Sequence, residues 1–198
     1  MTDRSLRRVC VFAGSSPGAR PEYAAAAAEL GRALATAGVG VVYGGGAVGL
    51  MGVLADAALE AGGDVVGVIP EDLHRREVGH TGLTELSVVD SMHERKALMA
   101  DLSDGFVLLP GGIGSLEEFV EVLTWDQLGI HAKPCVVLDV ASCWTPLLDL
   151  LDAMVVEGFL RAEHRAMVGV AATAEQALER LVDLDVPQLD KWLGGPAR

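Results

Sequence analysis

Cysteine is scarce in this chain: Cys10, Cys135 and Cys143 are the whole set, with no CxxC among them. An odd, scattered trio makes no disulfide framework and no paired zinc motif. The three read as small apolar residues of a reducing compartment. Lysine is equally scarce, with Lys96, Lys133 and Lys191 only. The 15 basic residues face 28 acidic ones, for a net charge of −13. That sign excludes a nucleic-acid backbone or an anionic membrane as partner, whereas a small phosphate needs only a local positive site. No apolar run approaches the roughly 18 residues of a membrane helix. The patch Val9 to Ala13 is too short for a signal-peptide core, so the cytoplasm is the expected compartment. A P-loop ending, a GxSxG elbow and an HExxH helix are all missing, and the five histidines show no ligand spacing. Neither a metal nor a cofactor is expected.

What the chain does have is apolar residue, 51% of 198, enough for a sizeable core. Short apolar runs alternate with amphipathic ones. Strands are expected at Val9 to Ala13, Gly40 to Tyr43, Val65 to Ile69, Leu83 to Val89, Gly105 to Leu109 and Cys135 to Leu138. Helices are expected from Pro21 to about Ala37, from Gly49 to about Ala61, from Ser91 to Asp101, from Ser115, and late in the chain at Pro146 to Glu157 and Ala174 to Leu181. Glu71 to Gly82 reads as a polar loop and the tail from Pro187 as an arm. The pattern predicts an α/β fold: a Rossmann-like open parallel sheet with helices on both faces, one domain over 1–198 with its core at about 8–182. Ligands in such sheets sit at the carboxyl ends of the strands, so Ser15, Gly44 and Gly112 are expected to line one crevice.

The stretch Pro110 to Glu118, PGGIGSLEE, follows a buried-strand pattern and opens a helical one. Glycines there let the backbone approach a ligand, and the free amides of a new helix favour an anion. Ser115-Leu116-Glu117-Glu118 equally fits a capping box, with Ser115 as the cap, and glycines in a βα turn are ordinary. Glu117 and Glu118 beside an anion site need a reason that electrostatics alone does not supply. A second constellation, Ser91-Met92-His93-Glu94-Arg95-Lys96, opens another helix with a capping box of its own. Two cations in a first turn oppose the helix dipole, so either acids compensate them or they face an anionic ligand. Gly44-x-Gly46-x-x-Gly49 matches a dinucleotide fingerprint in form, but it follows the second strand rather than the first, and of the acids near the next strand Asp64 precedes it while Glu71 and Asp72 lie beyond Pro70.

Taken together, GSS at Gly14 to Ser16, YGGGAVGLMG at Tyr43 to Gly52, MHERK at Met92 to Lys96, PGGIGSLEE, and TWDQLGIHAKP at Thr124 to Pro134 resemble the LONELY GUY (LOG) family. The resemblance covers about residues 8–182. It implies a Rossmann-like homodimer that hydrolyses the N-glycosidic bond of a purine riboside 5′-monophosphate, cytokinin-type or AMP, giving free base and ribose 5-phosphate. Arg95 and Glu118 would be the catalytic pair. Substrate contacts would come from Gly14, Ser15, Gly44, Gly45, Met92, Arg95, Lys96, Gly111, Gly112, Ile113, Gly114, Ser115, Leu116, Glu117 and Thr124. Ser115 stands where the family usually has Thr, and the hydroxyl is kept. Gly79-His80-Thr81-Gly82 stands near where many plant members carry a substrate-contacting Glu. Two other classes remain open on the residues alone: a nucleotide-binding module without hydrolysis, and a decarboxylase with a pyridoxal cofactor on Lys96.

Overall fold

The computed structural model describes residues 5–76 and 79–186, the side chain of residue 76 excepted. Seven strands form one sheet in the order β4-β3-β2-β1-β5-β6-β7, and every neighbouring pair is parallel. They are β1 Arg8–Phe12, β2 Gly40–Tyr43, β3 Val65–Pro70, β4 Glu85–Val89, β5 Gly105–Leu108, β6 Cys135–Leu138 and β7 Val168–Ala171. The helices are α1 Pro21–Thr36, α2 Gly49–Glu60, α3 Glu71–Arg76, α4 Met92–Asp101, α5 Ile113–Gln127, α6 Thr145–Val156, α7 Ala162–Ala166 and α8 Ala174–Asp183.

Successive strand residues feed opposite layers. Val9 and Val11 join Leu30, Leu34, Leu54 and Leu181 on the face of α1, α2 and α8. Cys10 and Phe12 join Met99, Phe106, Phe119 and Val122 on the face of α4 and α5. Burial on both faces explains why the strands read as unbroken apolar runs. Burial also raises the thiol pKa of Cys10 and Cys135 well above the ordinary value, so both are inert apolar residues.

The strand order reverses between β1 and β5. That is the switch point where an open α/β sheet leaves a crevice at its carboxyl edge. The loops after β1 and β5 meet there, with Gly14 N–H donating to the Pro110 carbonyl at 3.1 Å.

Several sequence-based expectations change. The polar stretch after Pro70 begins with a helix, α3, which carries an exposed i,i+4 ion pair between Arg75 Nη2 and Glu71 Oε1. β4 starts at Glu85 rather than Leu83, since the Thr84 side chain and amide are spent on the Val65 backbone. β7 and α7 were not expected at all. The strand is only four residues, VGVA, and a glycine interrupts its apolar run. No described helix is long and apolar enough to cross a membrane.

Candidate active site

The glycine-rich turn after β5 builds the floor of the crevice. Gly112 is the cap of α5, in extended conformation at φ −99° and ψ −158°, and no side chain caps the helix. Ser115, expected as the cap, instead lies buried inside the first turn. The first intrahelical bond runs from Leu116 N–H to Gly112 O at 3.1 Å. The amides of Ile113, Gly114 and Ser115 precede it and point out of the helix start, where the dipole is positive. Gly111 must be glycine, since a Cβ would collide with Ser115 Oγ and approach Gly14 N at 3.0 Å. One half of the capping box expected on α4 forms, with Glu94 N–H donating to Ser91 Oγ at 3.1 Å. The Glu94 carboxylate reaches one residue further back than the motif predicts, to Asp90 N–H at 3.0 Å.

Arg95 is buried and fully directed. Its Nε donates to the Val68 carbonyl at 3.1 Å and its Nη2 to the Gly44 carbonyl at 3.3 Å. Nη1 lies 3.6 Å from Glu118 Oε1, just beyond hydrogen-bond range. Burial raises the Glu118 pKa, and Arg95 opposes that rise. Arg95 and Glu118 line a cleft of about 310 Å³ with Ser15, Gly112, Gly114 and Ser115. Met51, Leu73, Met92 and Ile113 supply its apolar wall. Leu73 belongs to α3, the element that the sequence pattern hid. Met51 is buried on α2 and carries no sequence signal that separates it from core.

Lys96 does not line the cleft but pairs with Glu117, which does. Its Nζ donates to Glu117 Oε1 at 2.7 Å and lies 3.1 Å from Glu121 Oε2. The two cations at the start of α4 are therefore compensated by carbonyls and by acids of α5.

The structure separates the remaining candidates. Gly14 and Gly111 line an adjoining pocket of about 290 Å³, with Tyr23 and Cys143, that shares Ser15 and Gly112 with the cleft. Gly44 is not among the residues that line the cleft, contrary to expectation, but its carbonyl holds Arg95, which is. The carbonyl of Gly45 is likewise spent, on His80 N–H at 3.1 Å. Leu116 and Thr124 face an apolar cavity of about 360 Å³ between α5, α6 and α7. The Thr124 hydroxyl donates to Val120 O at 2.8 Å.

The fingerprint-like turn after β2 has no vacancy. Leu50 and Met51, in the first turn of α2, donate their amides to the Gly14 carbonyl at 2.9 and 3.3 Å. Gly49 is left-handed at φ +61° and packs on the Ser15 backbone. The amides that would cradle a pyrophosphate already hold the loop after β1.

Two further titratable groups lie deep under α5. Asp126 is buried, and burial pushes its carboxyl up to about 7. His131, 3.9 Å away, is pushed down to about 4 by burial. Between those values both are neutral, so their proximity is not an ion pair.

Known proteins resemble the chain in sequence and in fold. The profile of a family described as possible lysine decarboxylase matches residues 51–181. A cytokinin riboside 5′-monophosphate phosphoribohydrolase of Rhodococcoides fascians is 51% identical over 173 residues, covering 87% of each chain. The enzyme LOG of Oryza sativa subsp. japonica, of the same name, is 45% identical over 188 residues, covering 95% of this chain and 77% of its own. The X-ray structure of the protein TM1055 superposes with a TM-score of 0.68 at 27% identity, covering 87% of this chain and 96% of that one.

Proposed function

Because the chain belongs to the LOG family of cytokinin riboside 5′-monophosphate phosphoribohydrolases, we propose that it hydrolyses the N-glycosidic bond of a purine riboside 5′-monophosphate, releasing free base and ribose 5-phosphate. The observation that carries this reading is the Arg95–Glu118 pair, 3.6 Å apart in one cleft with the open amides of α5. The phosphate rests on the amides of Ile113, Gly114 and Ser115, with the Ser115 hydroxyl beside them. Breaking a ribosyl–purine bond passes through an oxocarbenium-like state. A carboxylate in a dry site stabilises that positive charge far better than water does, which gives Glu118 its reason to stand beside an anion cradle. Glu118 then accepts a proton from the water that adds to the anomeric carbon. Overall one water is consumed: its hydroxyl goes to the sugar and its hydrogen to the base. Arg95 favours the ionised form of Glu118 against the effect of burial and orients the nucleotide. The base lies against the apolar wall of Met51, Leu73 and Met92, where an N6 hydrocarbon substituent gains by burial.

The working protein is proposed to be a homodimer formed by one folding unit per chain. Support comes from α6, TPLLDLLDAMVV, none of whose residues is buried. Leu150, Val156 and nearby Phe159 are 51%, 84% and 85% exposed. Apolar surface of this kind marks an interface, and a second copy covers it. The free thiols of Cys10 and Cys135 fit a reducing compartment, and the cytoplasm is proposed.

The deciding experiment is product analysis after incubation with a panel of nucleoside 5′-monophosphates, AMP and isopentenyladenosine monophosphate among them. Free purine and ribose 5-phosphate in equal amounts are expected from the wild type and not from Glu118→Gln. Intact nucleotide throughout the panel overturns the reading.

A further inference from the structure

The segment Gly79 to Gly82 connects to the site through a run of contacts. Gly79 forms an antiparallel bridge with Gly46, and His80 N–H donates to the Gly45 carbonyl at 3.1 Å. The His80 ring reaches α2, where Nε2 lies 2.8 Å from Asp56 Oδ1. Its Nδ1 accepts from Gly82 N–H at 3.1 Å. That acceptor role puts the ring hydrogen of neutral His80 on Nε2, which donates to Asp56. On the opposite side the loop rests on β3: a Cβ on Gly67 would meet Gly45 Cα at 2.8 Å. Residues 44–46 are thus gripped between β3 and the His80 segment.

The carbonyl of Gly44, at the start of this gripped loop, accepts from Arg95 Nη2 at 3.3 Å. The other carbonyl that holds Arg95, Val68 O, belongs to β3. We propose that His80 is a positioning residue: by locking residues 44–46 through Asp56 and Gly45, it fixes the Gly44 carbonyl that aims the Arg95 guanidinium at Glu118. This rests on the reading of Arg95 and Glu118 as the catalytic pair. A purely structural role accounts poorly for the arrangement. The Asp56 side chain is 64% exposed, and exposed pairs contribute little to stability.

The test uses His80→Ala, His80→Gln and Asp56→Ala in the full chain. The Glu118 carboxyl is titrated by carbon NMR without ligand, and kcat and KM are measured on AMP. The groups facing Glu118 are Arg95 and Lys96, which lower its pKa, and Glu117 and Glu121, which raise it. Once the Gly44 carbonyl drifts, Arg95 spends less time near Glu118. The titration midpoint therefore rises in His80→Ala and in Asp56→Ala. A misplacement of this size lowers kcat by about 10- to 100-fold, with a smaller change in KM. His80→Gln, which keeps a donor toward Asp56, recovers part of both effects. An unmoved midpoint in His80→Ala and Asp56→Ala overturns the proposal, whatever the turnover. Absence of turnover in the wild type overturns the hydrolase reading instead, and the ligand-free titration still decides the positioning. Should His80→Ala not fold, the midpoint in Asp56→Ala, at the exposed end of the contact, decides in the same way.

Discussion

Lys96 closes a 2.7 Å ion pair with Glu117, joining α4 to α5 beside the cleft. Burial works against the charge on Lys96, but its hydrogen bonds to Glu117 and Glu121 outweigh that and hold its pKa above the ordinary value. An ammonium so held is a poor nucleophile. Incubation with pyridoxal phosphate and borohydride is therefore expected to leave Lys96 unlabelled, and a labelled Lys96 would revive the decarboxylase class. Lys96→Ala uncovers two carboxylates near the phosphate cradle. Its KM for nucleotide should rise on the order of 5-fold, the effect of about 1 kcal/mol of lost charge balance, with kcat less affected.

Glu118 is expected to separate activity from stability. Its pKa is raised in the fold, mainly by burial. The stability it contributes is then complete below the ordinary carboxylate pKa and is lost as pH rises through the folded value. Glu118→Gln removes that loss. At pH 8 the variant should melt no lower than the wild type, while kcat falls by about 10²- to 10³-fold. In the wild type, kcat should climb with pH through the same raised pKa. A lower melting temperature for Glu118→Gln at pH 8 would contradict this account.

Arg95 behaves in the opposite sense. Arg95→Ala leaves the Val68 and Gly44 carbonyls without their donor, each buried acceptor costing about 1–3 kcal/mol. Denaturant melts should show the loss, and turnover should vanish. Arg95→Lys should rescue little, since an ammonium does not span both carbonyls and Glu118 with a planar fork.

Asp126 gives a pH signature remote from the cleft. With its carboxyl pushed up to about 7, its contribution to stability is whole below about 4 and falls as pH rises toward 7. His131, pushed down to about 4, works the other way, losing stability as pH falls below about 6.5. Comparison with Asp126→Asn isolates the acid. The variant's melting temperature should gain on the wild type from pH 4 to 7 and then run parallel to it.

The exposed apolar face of α6 predicts the assembly. Val156→Glu or Phe159→Glu should shift the protein from dimer to monomer in light scattering. An unchanged mass for both variants would remove this face from the proposed interface.

The sheet was largely legible because buried parallel strands are apolar on both faces. Gly40–Tyr43 and Cys135–Leu138 were expected with the bounds they have. β7 was not, being short and broken by Gly169. α3 was hidden because polar residues after Pro70 look alike in a loop and in an exposed helix. At the site, the family resemblance singled out Arg95 and Glu118, but no local pattern shows what holds them. The carbonyls that hold Arg95 lie 27 and 51 residues away in sequence, beyond any local pattern. The same limit misplaced the cap of α5: Ser115 satisfied the motif, and the extended backbone of Gly112 took the position first.

Gly49 reaches the chemistry without touching a ligand. Its left-handed backbone leaves no room for a methyl group against the Ser15 backbone. Gly49→Ala would displace the backbone at Ser15 and Ser16, and Ser15 lines the cleft. A single added carbon, at the first residue of the helix that carries Met51, would then be felt at the cleft.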